Sequence, residues 1–132
     1  MDNNSDTSKL QEKRILLVDD EPSVVHALCL LLEALGFTVS AHVSGKDALD
    51  DLRERGEQTD GFDLLLCDLR MPEMDGIEVL RATRELQPTL PVILMSAHAS
   101  DEDVQQATAL GISGFLNKPF TPDQLLDLVA SL

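Results

Sequence analysis

The chain has 132 residues, 43 % of them hydrophobic and 26 % charged. That is room for one ordinary domain and not two, in a balance that excludes wholesale disorder and low-complexity fibres. Acidic side chains number 24 against 10 basic ones, for a formal charge of −14; with its few cations scattered, such a chain repels a phosphate backbone, and direct nucleic-acid binding is not expected.

Residues 1–12 carry no apolar period and read as a disordered tail, leaving 13–132 as the single domain. No apolar run reaches membrane-spanning length, so neither a signal peptide nor a transmembrane helix is expected, and the chain is expected in the cytoplasm. Ile15–Val18 is an apolar strand that ends at Asp19 and Asp20. Pro22 and Ser23 open a helix with Val24, Val25, Leu28, Leu31, Leu32 and Leu35 on one face, stopped by Gly36. Phe37, Val39, Ala41 and Val43 alternate with polar residues, the period of a half-buried strand. A polar helix runs from Ser44 to Arg55 and closes near Gly56. Phe62–Cys67, apolar except for Asp63, reads as a strand covered on both faces, and it stops at Asp68. The loop Met71–Gly76 leads to a helix from Ile77 to Gln87. Pro91–Met95 is a strand ending at Ser96, and Asp101–Leu110 a helix stopped by Gly111. Ser113–Asn117 is the last strand, ending at Lys118-Pro119, and Thr121-Pro122 start a helix that runs close to Leu132. Cys29 and Cys67 lie far apart in apolar runs and read as buried free thiols.

Five strands alternating with five helices through short loops predict an α/β domain: an open, doubly wound parallel sheet of the flavodoxin-like kind. Such a sheet binds ligands at the carboxyl ends of its strands, where the strand order reverses. Asp19, Asp20, Asp68, Ser96 and Lys118 all fall there. Each alone is unremarkable, since acids after a strand are usually solvated. Together they describe a site. Three carboxylates converge favourably only around a cation, and an all-oxygen set suits Mg2+, which keeps waters and accepts a phosphoryl oxygen. Ser96 offers a hydroxyl donor and Lys118 a second positive charge.

The segments ILLVDDEP (15–22), LLLCDLRMPEMDG (64–76), ILMSA (93–97) and GFLNKPF (114–120) resemble, in order and spacing, the response-regulator receiver domain of two-component signalling. The resemblance covers Arg14 to Leu132 and implies strand order 2-1-3-4-5. By position it makes Asp68 the phosphoacceptor, Asp20 the direct Mg2+ ligand, Asp19 its second acidic partner, and Arg70 the residue whose backbone carbonyl reaches the metal. Ser96 and Phe115 take the two switch positions, Lys118 the lysine position, and Lys118-Pro119 the place of a cis peptide bond. Pro72 and Gly76 match the loop that shapes the site. Arg70 and His98, each two residues past a site residue, stand where side chains gate water access. Leu30, exposed on the first helix opposite the Leu28 face, stands where the family docks its kinase.

The resemblance further implies a sensor histidine kinase or histidine phosphotransfer protein as donor, and an output partner that is separate or fused. The chain is then a signalling domain rather than an enzyme, catalysing only its own phosphorylation and dephosphorylation. After Ala97 the only Lys or Arg is Lys118, so the basic–acidic pairing by which winged-helix members dimerise cannot form, and a monomer is expected. A flavodoxin-like cofactor binder is excluded by Asp19-Asp20-Glu21 where a phosphate cradle belongs and by the absence of Trp and Tyr. A dehalogenase-type phosphatase needs a second acid where Arg70 stands. A phosphorylation-independent pseudo-receiver is the remaining alternative, and the complete set of acids and the lysine speaks against it. His26 and His42 lack a metal-like pairing and read as structural or surface residues.

Overall fold

Each apolar run of the sequence becomes a strand that ends at or just before a polar residue: the first at Val18, ahead of Asp19, and the third and fourth with Asp68 and Ser96 as their last residues. The structure, a computed structural model, describes residues 13–55 and 61–132; the expected tail and the helix stop at Gly56 lie outside them. In chain order the elements are β1 (Arg14–Val18), α1 (Pro22–Ala34), β2 (Thr38–His42), α2 (Gly45–Arg55), β3 (Leu64–Asp68), α3 (Gly76–Leu86), β4 (Val92–Ser96), α4 (Asp101–Ala109), β5 (Gly114–Asn117) and α5 (Pro122–Ala130). The strands form one parallel sheet in the order β2-β1-β3-β4-β5.

The central strands are buried on both faces. Ile15, Leu17, Leu64, Leu66, Ile93 and Met95 pack beneath α1 and α5 with Leu28, Leu32, Leu125 and Val129. Leu16, Val18, Leu65, Cys67, Val92 and Leu94 pack on the other face beneath α2, α3 and α4 with Leu49, Leu52, Val79, Leu80 and Ala107. Successive side chains of a strand point to opposite faces, so covering both produces the unbroken apolar runs seen in the sequence. Reversal of strand order puts β1 beside β3, with Val18 paired to Cys67. The next residues, Asp19 and Asp68, therefore stand side by side at the carboxyl edge of the sheet.

Local signals set most helix starts. Asp75 with Glu78, Ser100 with Asp103 and Thr121 with Gln124 form reciprocal capping boxes at α3, α4 and α5. At α1 the Glu21 side chain caps nothing, and Pro22 begins the helix.

Three expectations need correction. β2 ends at His42, so Val43 does not continue its inward alternation and is 49 % exposed. Cys29 is half-buried, not buried like Cys67; burial, and for Cys29 also Glu33, pushes both thiols above their ordinary range. The third strand starts at Leu64 and extends through Asp68, so the acid is its last residue and not a loop residue.

Candidate functional site

Asp19, Asp20 and Asp68 present carboxylate oxygens that all lie within 4.8 Å of one another. Asp19 is fully buried and Asp68 nearly so, while Asp20 is half-buried. Asp19 is held from three sides: its N–H donates to the His42 carbonyl of the edge strand (3.2 Å), its Oδ1 accepts from the Glu21 N–H (3.0 Å), and its Oδ2 accepts from Lys118 Nζ (2.8 Å). Lys118 Nζ also donates to Asp68 Oδ1 at 3.1 Å. One ammonium thus bonds two of the three acids.

That imbalance is visible in the proton affinities. Burial pushes the Asp68 carboxyl up to about 6; the hydrogen bond from Lys118 works against the shift, and the charges of Asp19 and Asp20 add to it. Lys118 moves the other way: burial favours its neutral form, but its bonds to Asp19 and Asp68 outweigh burial and raise its pKa. A nearly buried carboxylate held short of positive charge between two others is a donor set that fits a small hard divalent cation.

The loop after β3 closes on the acceptor. Gly76 N–H donates to the Leu69 carbonyl at 2.8 Å, and Glu73 takes a left-handed backbone with φ of 66°. A Cβ on Gly76 would lie 2.7 Å from the Asp68 carbonyl oxygen and 2.8 Å from Leu69 Cα. Glycine is required there because backbone, not a yielding side chain, fills the space.

Above Asp68 opens a cleft of about 420 Å³ lined by Glu21, Arg70, Ala97, His98 and Lys118. Arg70 is 58 % exposed, and its guanidinium pairs with Asp103 at the start of α4. Ser96, buried at the end of β4, accepts the His98 N–H on its hydroxyl at 3.0 Å. The Lys118–Pro119 peptide bond is cis. Phe115 is half-buried on β5, two residues before Asn117, the register partner of Ser96. Leu30 is 58 % exposed on α1, away from the acids, and His26 is exposed on the same helix. His42 bonds Asp51 through Nε2 at 2.8 Å. Thus the fold gathers Asp19, Asp20 and Asp68 and bonds Lys118 to Asp19 and Asp68, with Ser96 on the strand between β3 and β5; Phe115 packs partly buried against the core and Leu30 is exposed on α1.

The model of the response regulator receiver domain matches residues 15–130. The chain belongs to this receiver-domain family. Among relatives, the transcriptional regulatory protein ZraR of Escherichia coli O157:H7 is 42 % identical over 111 residues, which are 84 % of this chain and 24 % of ZraR. The chain therefore spans about a quarter of that relative's length. An uncharacterized 14.6 kDa protein of Leptolyngbya boryana is 38 % identical over 122 residues, covering 91 % of this chain and 89 % of its own. Among solved structures, the chemotaxis protein CheY4 of Vibrio cholerae superposes with a TM-score of 0.81 at 29 % identity, over 90 % of this chain and 97 % of CheY4. A CheX–CheY–BeF3–Mg2+ complex from Borrelia burgdorferi gives a TM-score of 0.81 at 27 % identity, over 90 % of this chain and 87 % of the matched one. The receiver domain is a phosphoacceptor module of two-component systems. No helix among its described residues is long and apolar enough to cross a membrane.

Two contacts went unseen in the sequence. Asp103 is legible as half of a capping box with Ser100, but nothing in the chain announces its pairing with Arg70, 33 residues earlier. Likewise, Glu21 enters the site through its backbone N–H, which no side-chain motif reports.

Proposed function

We propose that this receiver domain takes a phosphoryl group onto Asp68 from a phosphohistidine of a sensor kinase or phosphotransfer protein. The observation that carries the assignment is the double contact of Lys118 with Asp19 and Asp68 inside the three-carboxylate cluster. An Asp68 oxygen would attack phosphorus in line; the new P–O bond forms as the P–N bond breaks, and the electron pair returns to the imidazole of the donor. A divalent cation such as Mg2+, held by Asp20, Asp68, Asp19 and the Arg70 carbonyl, would supply charge neutralisation at the phosphoryl oxygens. Lys118 offers the same from the opposite side, with both its acids already holding it in place. The Ser96 hydroxyl then donates to a new oxygen, and Phe115 follows it inward, changing the surface offered to an output partner, separate or fused.

The donor must bring its histidine over Asp68, so it has to lie on surface continuous with the cleft. An apolar groove between α1 and the β5–α5 loop meets that condition: Val24, Ala27, Leu28 and Phe120 line it together with Ala97 and Lys118, which also line the cleft. Leu30, exposed on the same helix but outside the groove, is a further candidate contact for the donor.

Incubation with a cation and a small acyl phosphate should add one phosphoryl mass, removable by hydroxylamine, to the intact protein. Asp68→Asn should abolish it, because an amide oxygen cannot form an acyl phosphate. Full labelling of Asp68→Asn, or an alkali-resistant phosphate, would leave an interaction module in place of the phosphoacceptor.

A further inference from the structure

Among the described residues, Arg70 is the one that both lines the cleft over Asp68 and is tied by an ion pair to a helix outside the site. Its guanidinium is paired with Asp103, whose Oδ2 also accepts the Ser100 N–H at 3.0 Å within the capping box of α4. Asp103 is therefore fixed in the cap, while the Arg70 side chain is 58 % exposed. We propose that Asp103 is a positioning residue for the lifetime of the phosphoryl group: it parks the Arg70 guanidinium on α4, away from the acceptor, and so keeps the phosphoryl group open to water. The inference rests on Asp68 being the acceptor.

The step at stake is hydrolysis. A water oxygen bonds to phosphorus, the P–O bond to Asp68 breaks with its electron pair returning to the carboxylate, and both protons of the water leave with the inorganic phosphate. Acyl phosphate formation replaces one carboxylate charge by roughly two phosphoryl charges, in a cleft that Arg70 already lines. An ion pair with one partner this exposed is weak, of the order of 1 kcal/mol or less, so the position of Arg70 is readily shifted. Without the Asp103 charge, the phosphoryl group in the cleft that Arg70 lines competes more effectively for the guanidinium. A planar guanidinium bound there by two N–H donors occupies the approach of water.

The test follows decay of the phosphorylated protein by intact mass after removal of the acyl phosphate donor. Asp103→Asn keeps an oxygen to accept the Ser100 N–H, so α4 keeps its cap and the unfolding midpoint serves as the control. We expect the half-life to lengthen about threefold in Asp103→Asn, to return to the wild-type value in Asp103→Glu, and to show no effect of Asp103→Asn when it is added to Arg70→Ala. An unchanged or shortened half-life in Asp103→Asn, or the same lengthening with Arg70 absent, overturns the inference. Failure of wild type to label at all would instead overturn the assignment of Asp68.

Discussion

Lys118 reaches from the end of β5, past β4, to Asp68 on β3, and its Nζ donates to the carboxylate at 3.1 Å while holding Asp19 at 2.8 Å. The contact links the edge of the sheet to its centre, and it gives Lys118 two separable duties: neutralising charge at the acceptor and transmitting the change to β5. Lys118→Ala should retain partial labelling of Asp68 while the NMR shifts of the Phe115 ring no longer respond to it. Full coupling of the ring shifts to phosphorylation in Lys118→Ala would place the switch elsewhere.

Three acids around one ammonium should make the cation a folding ligand. Millimolar Mg2+ is expected to raise the unfolding midpoint of the wild type by mass action. Asp20→Asn should remove most of that response, having lost a charged ligand. An equal response in both proteins would contradict the assignment of Asp20.

The raised Asp68 carboxyl, at about 6, makes a signed statement about stability in the absence of a divalent cation. Between the ordinary aspartate value near 4 and about 6, the folded state holds the proton more than the unfolded one, so stability falls as pH rises through that window. Asp68→Asn removes the effect. Without divalent cations it should be more stable than wild type at pH 7, with the difference shrinking toward pH 4. Denaturant unfolding at the two pH values measures it, and a difference that grows toward acid would show the wrong sign.

Gly76 tests the fit of the loop beneath the acceptor. Because an added Cβ would strike the Asp68 carbonyl and Leu69 Cα, Gly76→Ala forces the backbone of β3 and the loop apart. A loss of about 1–3 kcal/mol is expected, together with slower acyl phosphate labelling. Stability and labelling both at the wild-type level would mean that the loop yields without moving Asp68.

Leu30 is an exposed position, where substitution normally changes stability by no more than about 0.5 kcal/mol. Leu30→Glu should slow phosphotransfer from the cognate kinase severalfold while leaving labelling by a small acyl phosphate unchanged. Equal slowing with both donors would assign Leu30 to the fold and not to docking.

The sequence by itself determined the elements, because the signals for them are local. Continuous apolar runs at 15–18 and 64–67 mark strands covered on both faces, and the Ser100–Asp103 and Thr121–Gln124 pairs mark helix starts. It also placed the site acids at strand ends, which a parallel sheet turns to one edge. Which acids touch was decided by the tertiary structure. Pattern alone is the same for any strand order, and only the placement of β1 beside β3 sets Asp19 against Asp68, with Lys118 arriving from 50 residues farther along the chain. The end of β2 before Val43 and the Arg70–Asp103 pair were equally invisible in the sequence. The first depends on where the neighbouring strand stops offering hydrogen bonds, and the second on how far one flexible side chain reaches across a loop. Periodicity records which way a residue faces; only packing decides what it meets there.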